Sequence, residues 1–230
     1  MKLILFDIDG TLLHSDGAGV KATLDALRDF FGVADQPPGY SMAGKVDSQI
    51  VLEILAHANA DLSDVRDRLD AYWVAYADRL AEELPRHNVR ALPGVSALLA
   101  TLADRDDVVV GLLTGNLASA ADLKLSAAGI DPAQFRLGAY GHEAEVREGL
   151  PPLAVLRARE ATGRTFTGKH IVIIGDTPAD ITCGEALGVR TVGVATGRYA
   201  VGELRAAGAD AVFDDLSDTA AVLSAIVSEA

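Results

Sequence analysis

A doubly wound, mostly parallel α/β sheet, interrupted early by an all-helical insertion, is the fold this sequence predicts, and three observations predict it. Short apolar runs recur along the chain, each ending at Gly, Thr or Asp and each followed by a segment of helical period. The runs are continuously apolar rather than alternating, as strands covered by helices on both faces require. Between the first run and the second lies a stretch of helical period alone, too long for one βαβ crossover and without a convincing strand.

Taken in order, the strands are expected at residues 3–6, 108–113, 171–174 and 191–194, with weaker runs at 136–140 and 211–213. In the long gap, residues 17–31, 46–57 and 63–82 place apolar side chains three and four apart, for example Ile50, Leu52, Ile54 and Leu55, then Leu69, Trp73, Tyr76 and Leu80. The breakers Gln36-Pro37-Pro38-Gly39 separate the first two helices, and Pro85 then Pro93-Gly94 mark the return to the sheet. The expected division is therefore a helical lobe at 15–88 inserted into an α/β core made of 1–14 and 89–230.

Composition narrows the function. The 230 residues are 50% hydrophobic and 23% charged, with a mean hydropathy of +0.23, so the chain is globular rather than disordered. Twenty basic residues against 33 acidic ones give a net charge of −13, which disfavours nucleic acid and anionic lipid, and no basic patch offsets it. The apolar runs fall short of a membrane span. Asp7 and Asp9 interrupt the first run before it could be a signal-peptide core, and one cysteine, Cys183, cannot form an internal disulfide, so a cytoplasmic protein is expected.

Ligands of doubly wound sheets bind beyond the carboxyl ends of the strands. The first run ends in Asp7-Ile8-Asp9-Gly10-Thr11-Leu12, the second in Thr114-Gly115-Asn116, and the run at 171–174 in Gly175-Asp176-Thr177-Pro178-Ala179-Asp180. Arg147 precedes a helix that Pro151-Pro152 helps to open. Asp7, Asp9 and Asp176, brought together, imply a cation, because three adjacent acids do not all stay ionised without one. Oxygen donors with no His or Cys cluster select a hard ion, and few carboxylates with room for water favour Mg²⁺. A carboxylate beside Mg²⁺ is a competent nucleophile toward phosphorus, and a second acid two residues on can exchange a proton with the leaving oxygen and with water. The Thr114 hydroxyl and the N–H groups of Gly115 and Asn116 stand where phosphate oxygens bind, and Arg147 offsets the negative charge.

With these motifs in this order, the chain resembles the haloacid dehalogenase superfamily, and within it the phosphoglycolate-phosphatase-like members. The resemblance implies a Rossmann-like core with an inserted all-helical cap domain, and a Mg²⁺-dependent phosphatase acting on a small phosphorylated metabolite as a monomer or homodimer. It makes Asp7 the nucleophile and Asp9 the general acid/base whose backbone carbonyl also meets the metal. Thr114 and Asn116 become phosphate ligands, with Gly115 between them, Asp176 a Mg²⁺ ligand and Asp180 an acid behind it. Arg147 stands where the family commonly has Lys. Lys124, on the helix after Asn116, and Lys169, just before a strand, compete for that role but fit its position less well. A dehalogenase or phosphonate hydrolase of the family would not carry the acid at Asp9. A phosphomutase would share both acids. A phospho-accepting signalling module of the receiver type would be about half this length and lack the insertion.

Other features have plainer readings. Thr177-Pro178-Ala179-Asp180 also reads as an N-cap, a first-turn Pro and a capping acid. Gly39 to Lys45 has Walker-A spacing but lacks the Ser or Thr after Lys45 and follows Pro37-Pro38 instead of a strand. Lys45 itself is either a solvated helix-start lysine or part of a substrate-facing loop. The five histidines show no metal-ligand spacing, Trp73 and Tyr76 read as core of the insertion, and Cys183 as a small buried hydrophobe.

Overall fold

The computed structural model describes residues 1–33 and 35–228. Strand β1 (Lys2–Phe6) runs through the middle of the sheet and is followed by a tight turn and a two-residue strand, β2 (Leu13–His14). Helices α1 (Ala18–Phe31), α2 (Asp47–His57) and α3 (Leu62–Glu83) come next, then β3 (Arg90–Ala91), α4 (Val95–Ala103), β4 (Val108–Leu113) and α5 (Ala118–Ala127). The remainder alternates: β5 (Gly138–Ala139), α6 (Leu150–Thr162), β6 (Ile171–Gly175), α7 (Pro178–Thr182), β7 (Arg190–Val194), α8 (Val201–Ala206), β8 (Ala211–Phe213) and α9 (Thr219–Val227).

The six main strands form one parallel sheet in the order β5-β4-β1-β6-β7-β8, the doubly wound arrangement expected from the apolar runs. Side chains alternate between its faces. Ile4, Phe6, Val172 and Ile174 pack with α4, α5 and α9 through Leu98, Leu102, Leu125 and Ile226. Leu3, Leu5, Ile171 and Ile173 pack on the other face with Leu150, Ala154 and Ala158 of α6. Because Phe6 is in register with both Leu112 and Ile174, the residues just after β1, β4 and β6 emerge side by side at one edge.

Helices α1 to α3 close over a cluster of their own. Its members include Ala22, Ala26 and Leu27 of α1, Ile50 and Ile54 of α2, and Val65, Tyr72, Tyr76 and Leu80 of α3, with Leu117 and Ala120 reaching in beside them. Tyr72 and Tyr76 carry the buried face of α3, while Leu69 and Trp73 are only half-buried, so the stripe lies about one residue round the helix from the expected one. The gap between the first two sheet strands does contain strand: β2 and β3 pair antiparallel, Leu13 with Ala91 and His14 with Arg90, where the chain leaves and re-enters the sheet. Two-residue strands carry no periodic signal, which is why none was expected there. The run at 136–140 contributes only Gly138 and Ala139 to the sheet. No helix among the described residues is long and apolar enough to cross a membrane.

Candidate active site

The edge formed by β1, β4 and β6 opens into a cavity of about 460 Å³ whose other walls come from α1, α3 and the segment before α2. Asp7 sits at its base. Its backbone N–H donates to the Ile174 carbonyl at 2.9 Å, and its Oδ1 accepts from Arg147 Nη2 at 3.0 Å. The same nitrogen donates to Asp180 Oδ1 and, at 3.4 Å, to the Leu113 carbonyl. Arg147 lies in a short 3₁₀ turn, Arg147–Gly149, ahead of α6 and is 4% exposed. Burial opposes its charge, but Asp180 and Asp7 hold it protonated and raise its pKa further.

Asp180 combines the two readings its sequence left open. Thr177 Oγ1 donates to its Oδ2 at 2.7 Å and the Thr177 N–H does so at 3.0 Å, completing a capping box on α7, while its other oxygen takes Arg147. Asp7, Asp176 and Asp180 each offer an oxygen within 4.8 Å of the others, and all three are buried. Burial pushes Asp176 up to about 9, with Asp180 and Asp7 adding to the shift. Asp7 rises to about 7 because burial and the neighbouring acids outweigh Arg147. Such a cluster suits a hard divalent cation, and since Asp180 is already engaged by Arg147 and Thr177, Asp7 and Asp176 have the freer oxygens for it. The Asp9 carboxylate lies outside this trio.

Asp9 turns the other way. Its Oδ1 accepts from Ser15 Oγ at 2.7 Å, and its Oδ2 from Asn116 Nδ2 at 2.9 Å and Lys124 Nζ at 2.6 Å. Burial works to raise its pKa, but the Lys124 charge and these hydrogen bonds bring it below the usual carboxylate value. Thr114 is buried, and its Oγ1 accepts from Asn116 Nδ2 at 2.8 Å. Gly115 lies close against the segment before α2: a Cβ there would stand 2.1 Å from the Lys45 carbonyl oxygen. Its own carbonyl accepts the Asp47 N–H at 2.7 Å, Leu117 N–H donates to Asp47 Oδ2 at 2.9 Å, and Ser48 Oγ donates to the Gly141 carbonyl at 2.8 Å. These bonds fasten the start of α2 to the loops beyond β4 and β5.

The Lys45 side chain lines the cavity, paired with Glu53 and 4.2 Å from the centre of the Tyr40 ring. Lys169 pairs with Asp210 at 2.8 Å and donates to the Val189 carbonyl, at the opposite end of the sheet from the cavity. Sequence reasoning weighed Lys124 only as a rival to Arg147 and gave Asp47 and Arg198 no role of their own, yet all three line the cavity. Lys124 had a readable signal, since it falls on the buried face of α5 with Ala120, Ala121 and Leu125, where a lysine needs a partner. Asp47 and Arg198 had none, because their place depends on how the insertion packs.

The model of the haloacid dehalogenase-like hydrolases matches residues 1–188. A phosphoglycolate phosphatase of Rhodospirillum rubrum is 30% identical over 94% of this chain and 88% of its own length. Among solved structures, CbbY from Rhodobacter sphaeroides in complex with phosphate shares the fold at a TM-score of 0.72 and 18% identity, covering 95% of this chain and 96% of that one. A hydrolase from Pseudomonas syringae does so at 0.68 and 24%, covering 99% of each. The chain belongs to the haloacid dehalogenase-like hydrolases. It is an enzyme, and its class within them is that of the phosphatases.

Proposed function

We propose that the protein is a Mg²⁺-dependent phosphomonoesterase for small organic phosphates of the phosphoglycolate kind, acting in the cytoplasm through a phospho-Asp7 intermediate. The observation that carries this reading is the buried Asp7 carboxylate, tied by one oxygen to Arg147 and within a few ångströms of two further acids. With Oδ1 held, Oδ2 is the oxygen that attacks phosphorus, and the bond from phosphorus to the ester oxygen breaks as the new one forms. Asp9, ionised in the free site, takes up a proton as the anionic substrate binds and gives it to the departing alcohol, then takes one from the water that attacks the phospho-Asp7 phosphorus and releases phosphate. Thr114, Gly115 and Asn116 hold the phosphoryl oxygens, and Arg147 favours the ionised form of Asp7 against its burial and offsets the charge of the incoming group.

Asp7, Asp176 and the Asp9 backbone carbonyl, with Asp180 behind, would hold Mg²⁺, which would supply positive charge against the phosphoryl oxygens. Residues 15–88 act as a cap that shuts the cavity and excludes water, and the Lys45 segment, pressed against Gly115, is its point of contact with the substrate side. A screen of phosphorylated metabolites for phosphate release with and without Mg²⁺ tests the reading. Turnover that appears with Mg²⁺ and vanishes in Asp7→Asn is expected, and Mg²⁺-independent turnover or a fully active Asp7→Asn would refute it.

A further inference from the structure

We propose that Lys124 is a positioning residue for the reaction: with Asn116 it anchors one oxygen of Asp9, so that the other oxygen is the one presented to the leaving group. The inference rests on the phosphatase reading above and adds to it a division of labour within the Asp9 carboxylate. Lys124 Nζ donates to Asp9 Oδ2 and to Asn116 Oδ1, each at 2.6 Å, and Asn116 Nδ2 closes the ring by donating to the same Asp9 oxygen at 2.9 Å. Asp9 Oδ2 thus carries two donors, one of them charged. Oδ1 carries the neutral Ser15 hydroxyl, which a substrate oxygen can displace at small cost.

Lys124 is not a solvated lysine that happens to reach inward. It is 4% exposed, while the Asp9 side chain it holds is 36% exposed. Burying an ammonium group requires matched charge, and Asp9 provides it directly, with Asp47 of α2 contributing from across the cavity. The fold also leaves space for it: Gly19 of α1 faces the lysine tip, and a Cβ there would come 3.0 Å from Nζ and 3.3 Å from Cε. The anchor is therefore built from three elements, α5, the Asn116 loop and α1. A carboxylate fixed by one oxygen loses rotational freedom, and a proton donor already aimed at the leaving oxygen needs less reorganisation in the transition state. Asp9 is ionised beside Lys124 in the free site, so Oδ1 takes a proton from solvent as the anionic substrate binds, and that proton passes to the ester oxygen as its bond to phosphorus breaks and the bond from Asp7 forms.

The leaving group separates this role from phosphate binding and from simple support of the fold. An ethyl phosphate leaving group needs that proton, whereas p-nitrophenyl phosphate departs as a stable phenolate without it. Since kcat/KM spans only the steps through release of the alcohol, it should be measured with Mg²⁺ on both esters for the parent, Asp9→Asn, Lys124→Met and Lys124→Gln. Lys124→Met should lose at least about tenfold more on ethyl phosphate than on p-nitrophenyl phosphate, in the same sense as Asp9→Asn, whose selective loss should be on the order of 10² or more. Lys124→Gln, whose amide still donates, should fall between, and it decides by the same ratio if Lys124→Met does not fold. Equal losses on the two esters, or no loss, would overturn the proposal. If Asp9→Asn is selective and the Lys124 variants are not, the phosphatase reading stands and the positioning role falls. If Asp9→Asn is itself unselective, the assignment of Asp9 as the acid falls and takes the proposal with it.

Discussion

The family resemblance implies Lys where this chain has Arg147, and the geometry of Arg147 explains why either residue could serve. Its contacts to Asp7, Asp180 and the Leu113 carbonyl all run through Nη2, and its Nε is buried without a partner. The guanidinium is thus used as a point charge, with none of its two-pronged geometry engaged. Arg147→Lys should keep kcat/KM within about tenfold of the parent, whereas Arg147→Ala should lose about a hundredfold or more, on the order of 3 kcal/mol, along with stability from the unpaired Asp180. Steady-state kinetics of the two variants at saturating Mg²⁺ read this directly, and an Arg147→Ala as active as the parent would remove Arg147 from the site. Asp47 makes a second case. Burial pushes its carboxyl up to about 6, with Lys124 and the Leu117 N–H only partly offsetting the rise. The folded chain therefore holds this proton more tightly than the unfolded one, and stability falls as pH rises between about 4 and 6, by at most about 3 kcal/mol. Asp47→Asn, which can still accept the Leu117 N–H, should gain stability over the parent at pH 7.5 and little at pH 4.5 in urea melts. An equal gain at both would contradict the assigned burial cost.

Elements set how these groups meet. The segment before α2 touches the sheet edge with its backbone, and Gly115 is the residue that permits it. Gly115→Ala should push Lys45 and Asp47 outward, break the Asp47 N–H to Gly115 bond, and raise KM by about tenfold or more with little change in melting temperature, since the strand beneath is unaffected. A variant with parental KM would show that this contact does not shape substrate binding. The motifs after β1, β4 and β6 were legible in the sequence because each combines special residues at a strand end: Asp7 and Asp9, Thr114 to Asn116, Asp176 to Asp180. The hairpin of β2 and β3 was not, being too short for any period. Neither was the pairing of Lys124 with Asp9, which spans 115 residues and depends on α5 packing with the helical insertion. The stripe on α3 was read nearly one residue off because Tyr72 and Trp73 are both aromatic, and only the packing against α1 decides which is buried.

At the scale of the whole molecule, the architecture holds several carboxylates in a buried pocket of a chain whose net charge is already −13. That arrangement costs stability unless a cation shares the site, so Mg²⁺ should raise the thermal midpoint of the parent relative to EDTA, in line with ligand linkage, and should do so much less in Asp176→Asn. A midpoint indifferent to Mg²⁺ would remove the metal from the account. Chemistry at Asp7 is the central claim, and trapping its covalent intermediate tests it most directly. Asp9→Asn retains the nucleophile but slows water attack, so this variant, mixed with p-nitrophenyl phosphate and Mg²⁺ and quenched in acid, should carry one hydroxylamine-sensitive phosphoryl group on the peptide containing Asp7. Turnover by an enzyme whose only phosphorylated peptide lies elsewhere, or which hydrolyses the ester with Asn at position 7, would contradict it.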